Sequence, residues 1–337
     1  MKKYNIPIFV PHKGCPFDCV FCNQNRITGS IKEVTPDDVT STIEAYLSTL
    51  PKHDRNIEVA FFGGSFTGIP IKEQSLLMER VTPYIEKGII DGIRLSTRPD
   101  YINTKILDNL KHHGVTTIEL AVQSMSDSVL KTSNRGHSSA DVIKAVSLIR
   151  EYDFSLGLQM MTGLPGDTDE LSIKTANRII ALKPDFVRIY PTLTIKDTYL
   201  EKMYRMGKYE PQTLDDAVLL SKKLLLMYES ANICVIRVGL QPTEEINSNA
   251  SVVAGPFHSS FGELVESSIY YDLIKEEIAK ITKDAIVFVK PSEISKAVGH
   301  KRSNIIKIKN EFNINIKIKG DGNLKRREVR AVAIKKT

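Results

Sequence analysis

The chain has 337 residues, 42% of them apolar and 26% charged, with 46 Lys and Arg against 40 Asp and Glu for a net charge of +6. That length holds one large domain and one small one. No run approaches eighteen apolar residues, which argues against a membrane-spanning helix. Two lysines precede an apolar run too short for a secretory signal, and four cysteines in so long a chain do not read as a disulfide framework. A reducing cytoplasm is therefore the expected compartment.

Along the chain, short apolar runs alternate with longer periodic ones. The predicted strands are 6–10, 57–62, 92–97, 116–122, 154–161, 186–190 and 233–238. Helical patterns lie between them, at about 71–87, 103–112, 138–152, 168–182 and 212–230. An earlier helix opens at Thr35, a capping residue followed by Pro36 in the first turn. Strand–helix alternation repeated six times predicts a parallel α/β barrel or open sheet. In such barrels the chemistry sits on loops after the strands' C-terminal ends. A polar stretch with glycine and proline follows at 241–260, then a helical pattern from Phe261 to about residue 280. The last segment reads strand (285–289), interrupted helix (292–311), strand (314–318), a turn at Gly320-Asp321-Gly322, and a final strand over 328–334. The implied division is 1–240, 241–283 and 284–337.

The loop after the first strand carries Cys15, Cys19 and Cys22, spaced C-x3-C-x2-C. Three thiolates can hold three irons of a [4Fe–4S] cluster and leave the fourth open to a small molecule. Structural zinc is the rival reading and needs four ligands. Cys234 is far away in sequence, so His12 would have to complete that set. Phe17 and Phe21 flank the cysteines, where aromatic rings can shield a cluster from water.

The cysteine spacing, its place after a first strand and the strand–helix alternation resemble the radical S-adenosylmethionine superfamily. The resemblance implies a partial (β/α)6 barrel, a [4Fe–4S] cluster and S-adenosylmethionine. In that family the amino and carboxylate groups of S-adenosylmethionine chelate the open iron. Its reductive cleavage then gives a 5′-deoxyadenosyl radical that abstracts hydrogen from the substrate, while the protein positions the cofactor. Gly63-Gly64-Ser65 after the second strand matches the family's glycine-rich loop, which grips the cofactor's amino group. Arg135 would pair its carboxylate, a task suited to a planar bidentate donor. Gln123 and Gln159 would hydrogen-bond the cofactor, and Gly163 and Pro165 would shape the loop beneath the adenine. Ser96 stands where several relatives carry an acidic residue toward the ribose. Phe21 belongs to the same cofactor-facing set.

Within the superfamily, Arg98-Pro99-Asp100, Val122-Gln123-Ser124, Arg135-Gly136-His137 and Gly163-Leu164-Pro165-Gly166 occur in the order found in the catalytic subunit of Elongator, the tRNA wobble-uridine modifying complex. That resemblance covers roughly residues 5–195. Elongator subunits have a longer cysteine spacing and a C-terminal acetyltransferase domain. No glycine-rich acyl-CoA pattern occurs here, so the carboxymethylation chemistry is not carried over. Arg237–Glu245 and Gly255-Pro256-Phe257-His258 follow the last barrel strand. They are expected to line the substrate end of the pocket, with His258 a possible acid–base group.

The charge is unevenly placed: residues 281–337 carry +10 and the remainder −4. A local basic module points to a polyanion, most simply nucleic acid. Residues 290–306 resemble a KH unit, which clamps nucleotides with a Gly-x-x-Gly loop between two helices. The loop here is Gly299-His300-Lys301-Arg302, with the second glycine replaced, leaving Lys301 and Arg302 placed for phosphate contact. The composite reading is a radical enzyme acting on a nucleoside of RNA, with tRNA the expected substrate and a flavodoxin or ferredoxin the expected reductant. Two alternatives stand beside it. One is a coproporphyrinogen-oxidase-like enzyme acting on a small molecule, and the other is a non-catalytic Fe–S RNA-binding protein.

Overall fold

A computed structural model gives the fold and describes residues 2–10, 19–23, 33–240 and 251–334. Cys15, His12, Phe17 and the segment 241–245, all singled out from sequence, lie outside the described residues. The chain divides into two compact units, one of residues 1–213 with 227–257, the other of residues 214–226 with 258–337.

The first unit is organised by seven parallel strands in the order β1 (Lys2–Val10), β2 (Arg55–Gly63), β3 (Gly92–Thr97), β4 (Val115–Gln123), β5 (Ser155–Thr162), β6 (Phe186–Pro191) and β8 (Cys234–Val238). Two short strands, β7 (Thr194–Ile195) and β9 (Val252–Ala254), pair antiparallel. The seven strands curl into an open half-barrel, the partial barrel that the alternation predicts.

Helices α1 (Pro36–Thr49), α2 (Ile71–Met78), α3 (Thr82–Glu86), α4 (Thr104–His112), α5 (Asp127–Thr132), α6 (Ser139–Arg150), α7 (Asp169–Ala181) and α8 (Tyr199–Arg205) link them, and most of α9 (Leu214–Ser230) is assigned to the second unit. Thr35 caps α1 in a reciprocal box with Asp38, an arrangement that stabilises a helix start by about 1 kcal/mol. Ser138 and Asp141 do the same for α6. The single helix expected over 71–87 is two, because Pro83 sits in the first turn of α3 and cannot donate into a continuing helix. The strands' other face is apolar: Val59, Leu95, Ile118, Leu120, Ile189 and their neighbours are fully buried.

The second unit has a core drawn from α10 (Phe261–Ile278), β10 (Ala285–Val289), α11 (Ile294–Val298), α12 (Ser303–Phe312) and β11 (Ile316–Gly320). Tyr270, Ile274 and Ile278 of α10 pack on Val287, Ala297 and Ile308, all fully buried. β10 is the central strand, parallel to β11 and antiparallel to β12 (Arg330–Ala333). Asn304 of α12 is buried and donates to Ser267 O (2.9 Å) and Ala297 O (3.1 Å), which ties three helices together. Among the described residues no helix is long and apolar enough to cross a membrane.

Candidate active site

The half-barrel gathers several of the sequence-predicted residues at the C-terminal ends of its strands. The described part of the cysteine loop is held at Val20, whose N donates to Ser133 O (3.1 Å) and whose O accepts from Leu200 N (2.7 Å). Cys22 N bonds to Cys19 O at 3.0 Å, turning the chain between these two sulfurs. Cys19 is 7% exposed, and Arg135 Nη1 donates to its Sγ at 3.3 Å. Nη2 of the same guanidinium donates to Ala121 O on β4 at 2.9 Å. Arg135 is itself buried, and its Nε has no hydrogen-bond partner among the described residues.

The glycine loop meets the same end of the sheet. Gly64 N donates to Val10 O (2.9 Å), joining β2's end to the residue before the cysteine loop. Gly63 has φ +109°, and a Cβ there would lie 3.2 Å from Val10 O. The sequence uses glycine because only it takes this backbone and this close approach. Ser65 is 1% exposed, and its hydroxyl is engaged within the loop, bonding Thr97 Oγ1 (2.8 Å) and accepting from Arg98 N (3.2 Å).

Gln123 ends β4 just past a register shift and holds φ +64°. A non-glycine side chain is strained there by about 1–3 kcal/mol, and such residues cluster at functional sites. Its Oε1 accepts from Gln159 Nε2 of β5 at 3.2 Å, so the two glutamines form one amide pair. Ser96, half-buried on β3, lies in register with Glu119.

Phe21 packs beside Met203 against Val20, Leu200 and Tyr209. Tyr209 Oη donates to Gly163 O (2.7 Å), and Gly163 N donates to Asp167 Oδ2 (3.0 Å). The Gly163–Asp169 loop, Thr132, Met203 and Tyr209 line a cleft of about 340 Å³. Burial pushes the Asp167 carboxyl up to about 6 despite donors from Ser172 and Gly163, and its Oδ1 has no partner among the described residues. The region 199–212 carried no sequence signal.

Glu58, Arg94, Glu119 and Arg188, one from each of β2, β3, β4 and β6, form a buried ionic ladder. Arg94 bonds Glu58 Oε2 (2.7 and 2.9 Å) and Glu119 Oε1 (2.8 Å). Arg188 bonds Glu119 through Nε (2.6 Å) and Nη2 (3.0 Å), and donates from Nη1 to Tyr190 Oη (3.2 Å). Burial raises the Glu58 carboxyl, but the Arg94 charge and donors from Thr116, Thr117 and Arg94 outweigh it and hold it below the usual range. The signal was present in the sequence as a single charge inside each of the four predicted strands 57–62, 92–97, 116–122 and 186–190.

His137 Nε2 faces Val122 O at 3.2 Å. Burial, with Arg135 and Arg98 nearby, lowers its pKa to about 4, so the ring is neutral at physiological pH.

In the second unit, Gly299 has φ +79°, and a Cβ there would meet Ser303 Oγ at 2.5 Å and Ser267 Oγ at 2.9 Å. Lys301 (φ +50°) and Arg302 (φ +64°) follow in the left-handed region, so the loop keeps a tight turn without its second glycine. His300, Lys301 and Arg302 are exposed and form no ion pair among the described residues. Neighbouring cations are committed: Lys296 to Glu293, Arg326 and Arg327 to Glu266, and Arg330 to Asp321. His258, expected at the substrate end of the barrel, belongs to this second unit, its ring edge-on to His300 with centroids 5.0 Å apart.

Three bodies of comparison bear on this arrangement. A family model described as the radical SAM superfamily matches residues 9–179, and one described as the radical SAM C-terminal domain matches residues 184–271. The tRNA uridine(34) acetyltransferase of Methanocaldococcus infernus is 27% identical over 246 residues, which cover 63% of this chain and 46% of that protein. Human Elongator complex protein 3 is 27% identical over 191 residues, covering 51% of this chain and 35% of that one. The chain thus spans about half or less of the length of these curated relatives. Among solved structures, archaeal Methanocaldococcus infernus Elp3 superposes with a TM-score of 0.65 at 23% identity, over 81% of this chain and 63% of that one. Escherichia coli coproporphyrinogen III oxidase superposes at 0.51 and 17% identity, over 68% and 52%, a likeness of fold.

Whether the residues fit the superfamily's cofactors is answered by the cysteine loop. Cys19 and Cys22 lie on one turn, a guanidinium fixed to β4 faces the Cys19 sulfur, and a side-chain-free glycine approach borders the same strand ends. Soft sulfur donors on one turn are what an iron–sulfur cluster takes from a protein. With a superfamily match running from the end of β1 through α7, over just more than half its length, this chain belongs to the radical SAM superfamily, enzymes that work with a [4Fe–4S] cluster and S-adenosylmethionine.

Proposed function

We propose that this chain is a radical SAM enzyme that modifies a nucleoside of RNA, with tRNA as the substrate class. The observation that carries the reading is the Arg135 guanidinium, anchored on β4 and reaching the Cys19 sulfur. Cys15, Cys19 and Cys22 would hold the cluster. When bound, the cluster and S-adenosylmethionine supply a carbon-centred radical able to take hydrogen from an unreactive carbon. The protein's part is positioning. Arg135 would receive the cofactor's carboxylate, Gly63 and Gly64 its amino group, and the Gln123–Gln159 pair its ribose, with Ser96 on the neighbouring strand. Phe21 and the Gly163 loop would form the adenine end, where Tyr209 fixes the Gly163 carbonyl. The reductant would be a flavodoxin or ferredoxin.

The RNA half of the proposal is supported by the second unit. Its loop Gly299-His300-Lys301-Arg302 presents two cations free of ion pairs among the described residues, at the start of α12, whose first-turn N–H groups also favour phosphate. The names of the curated relatives, a tRNA uridine(34) acetyltransferase and Elongator complex protein 3, point the same way. The test is mass spectrometry of tRNA nucleosides from cells with and without the gene. Loss of one modified nucleoside is expected, and an unchanged profile would contradict the proposal.

A further inference from the structure

We infer that His258, from the segment preceding α10, is part of a phosphodiester-binding site completed by His300 and Lys301 of the Gly299–Arg302 loop. The inference rests on the RNA reading of the second unit and adds to it a residue outside the helix–loop–helix motif.

Ser260 N donates to His258 Nδ1 at 3.1 Å. That bond makes Nδ1 the acceptor and leaves the ring proton on Nε2. His258 therefore offers one N–H, and it does so while uncharged. Burial, with His300 and Lys301 close by, lowers its pKa below the ordinary histidine value, so the neutral form prevails at pH 7.5. The ring stands edge-on to His300, and the Lys301 ammonium is near enough to oppose its protonation. An uncharged N–H donor thus lies beside a second imidazole, with an ammonium close by. All three suit an anionic oxygen, and among the described residues neither Lys301 nor His300 forms an ion pair.

The arrangement also addresses the loop's missing glycine. In a Gly-x-x-Gly clamp, bare backbone lets the phosphate chain come close. Arg302 occupies the second glycine position in left-handed geometry with an exposed side chain. A side-chain donor from outside the motif supplies a contact of the kind that backbone approach would otherwise give.

A packing role is the competing explanation, because the Ser260 bond and the ring contact alone would give His258 something to do. Two variants separate them. His258→Asn keeps a short-range acceptor for Ser260 N but withdraws the distal donor. His258→Gln keeps a donor at the distal position. The probe is a labelled single-stranded oligoribonucleotide, titrated by anisotropy against the full-length protein at pH 7.5 between about 50 and 200 mM salt.

His258→Asn is expected to weaken binding about three- to tenfold, the loss of one hydrogen bond, with an unchanged salt slope because an uncharged donor releases no counterion. His258→Gln should recover most of that affinity. Lys301→Ala should weaken binding and also lower the slope by about 0.7. If His258→Asn binds as wild type while Lys301→Ala does not, the inference is overturned and the RNA reading stands. If wild-type protein fails to bind the RNA at any salt in the range, the RNA reading of this unit falls and takes the inference with it.

Discussion

Glu119→Gln is the sharpest probe of the barrel. Glu119 is 4% exposed and accepts three short bonds: from Arg188 Nε at 2.6 Å, Arg94 Nη1 at 2.8 Å and Arg188 Nη2 at 3.0 Å. With it, the ladder holds two carboxylates and two guanidiniums. Without its charge, Glu58 still pairs Arg94, but Arg188 loses its only carboxylate partner among the described residues and is left as an uncompensated positive charge. Breaking such a pair costs about 3–5 kcal/mol. Glutamine keeps one acceptor oxygen and so recovers about 1 kcal/mol as a hydrogen bond, leaving a loss of about 3 kcal/mol. For a unit of this size that corresponds to a fall in Tm of about 6–12 °C, read by circular dichroism or scanning calorimetry. Adding Arg188→Met removes the stranded charge and should restore part of the loss, with a coupling of about 1–3 kcal/mol. A fall below about 2 °C for Glu119→Gln would show that water or a neighbouring group already compensates the ladder, and would refute this account of it.

Three further expectations follow from single residues. Gly63→Ala places a Cβ 3.2 Å from Val10 O on a backbone of φ +109°. It should lower stability by about 1–3 kcal/mol and weaken S-adenosylmethionine binding measured by calorimetry on reconstituted protein. His137 has its pKa depressed to about 4 against an unfolded value of 6.5. Its contribution is therefore fully present above pH 6.5 and is lost as pH falls toward 4, and His137→Gln should flatten the pH dependence of Tm across that window. Arg302→Gly relieves a left-handed residue and should raise the stability of the second unit by about 0.5–1 kcal/mol. The same change should lower RNA affinity and salt slope, so that stability and binding move in opposite directions.

Much of the barrel was legible because the central parallel strands are short apolar runs with buried faces, and helices such as α1 and α6 begin at capping residues, Thr35 and Ser138. Strand ends moved by one to four residues, since β1 and β2 continue through polar residues such as Lys2 and Arg55 that apolarity does not mark. The Arg135–Cys19 contact joins residues 116 positions apart. Sequence offered both as candidates, but only the sheet brings them together. The ladder was overlooked because a single charge in an apolar strand reads as an interruption, and its partners become visible only when strands are set side by side. Tyr209 lies in a segment without periodicity, and its bond to Gly163 O depends on α8 folding back over the cysteine loop. The two halves of the His258 site were noted separately, and their ring contact belongs to tertiary structure alone.

The most direct test of the central claim is electron paramagnetic resonance of the anaerobically reconstituted, reduced protein, recorded with and without S-adenosylmethionine. A [4Fe–4S] signal that shifts when the sulfonium is added, and that disappears in Cys19→Ala, is the predicted result. A protein that retains zinc in place of iron, or a cluster whose spectrum is indifferent to S-adenosylmethionine, would contradict it.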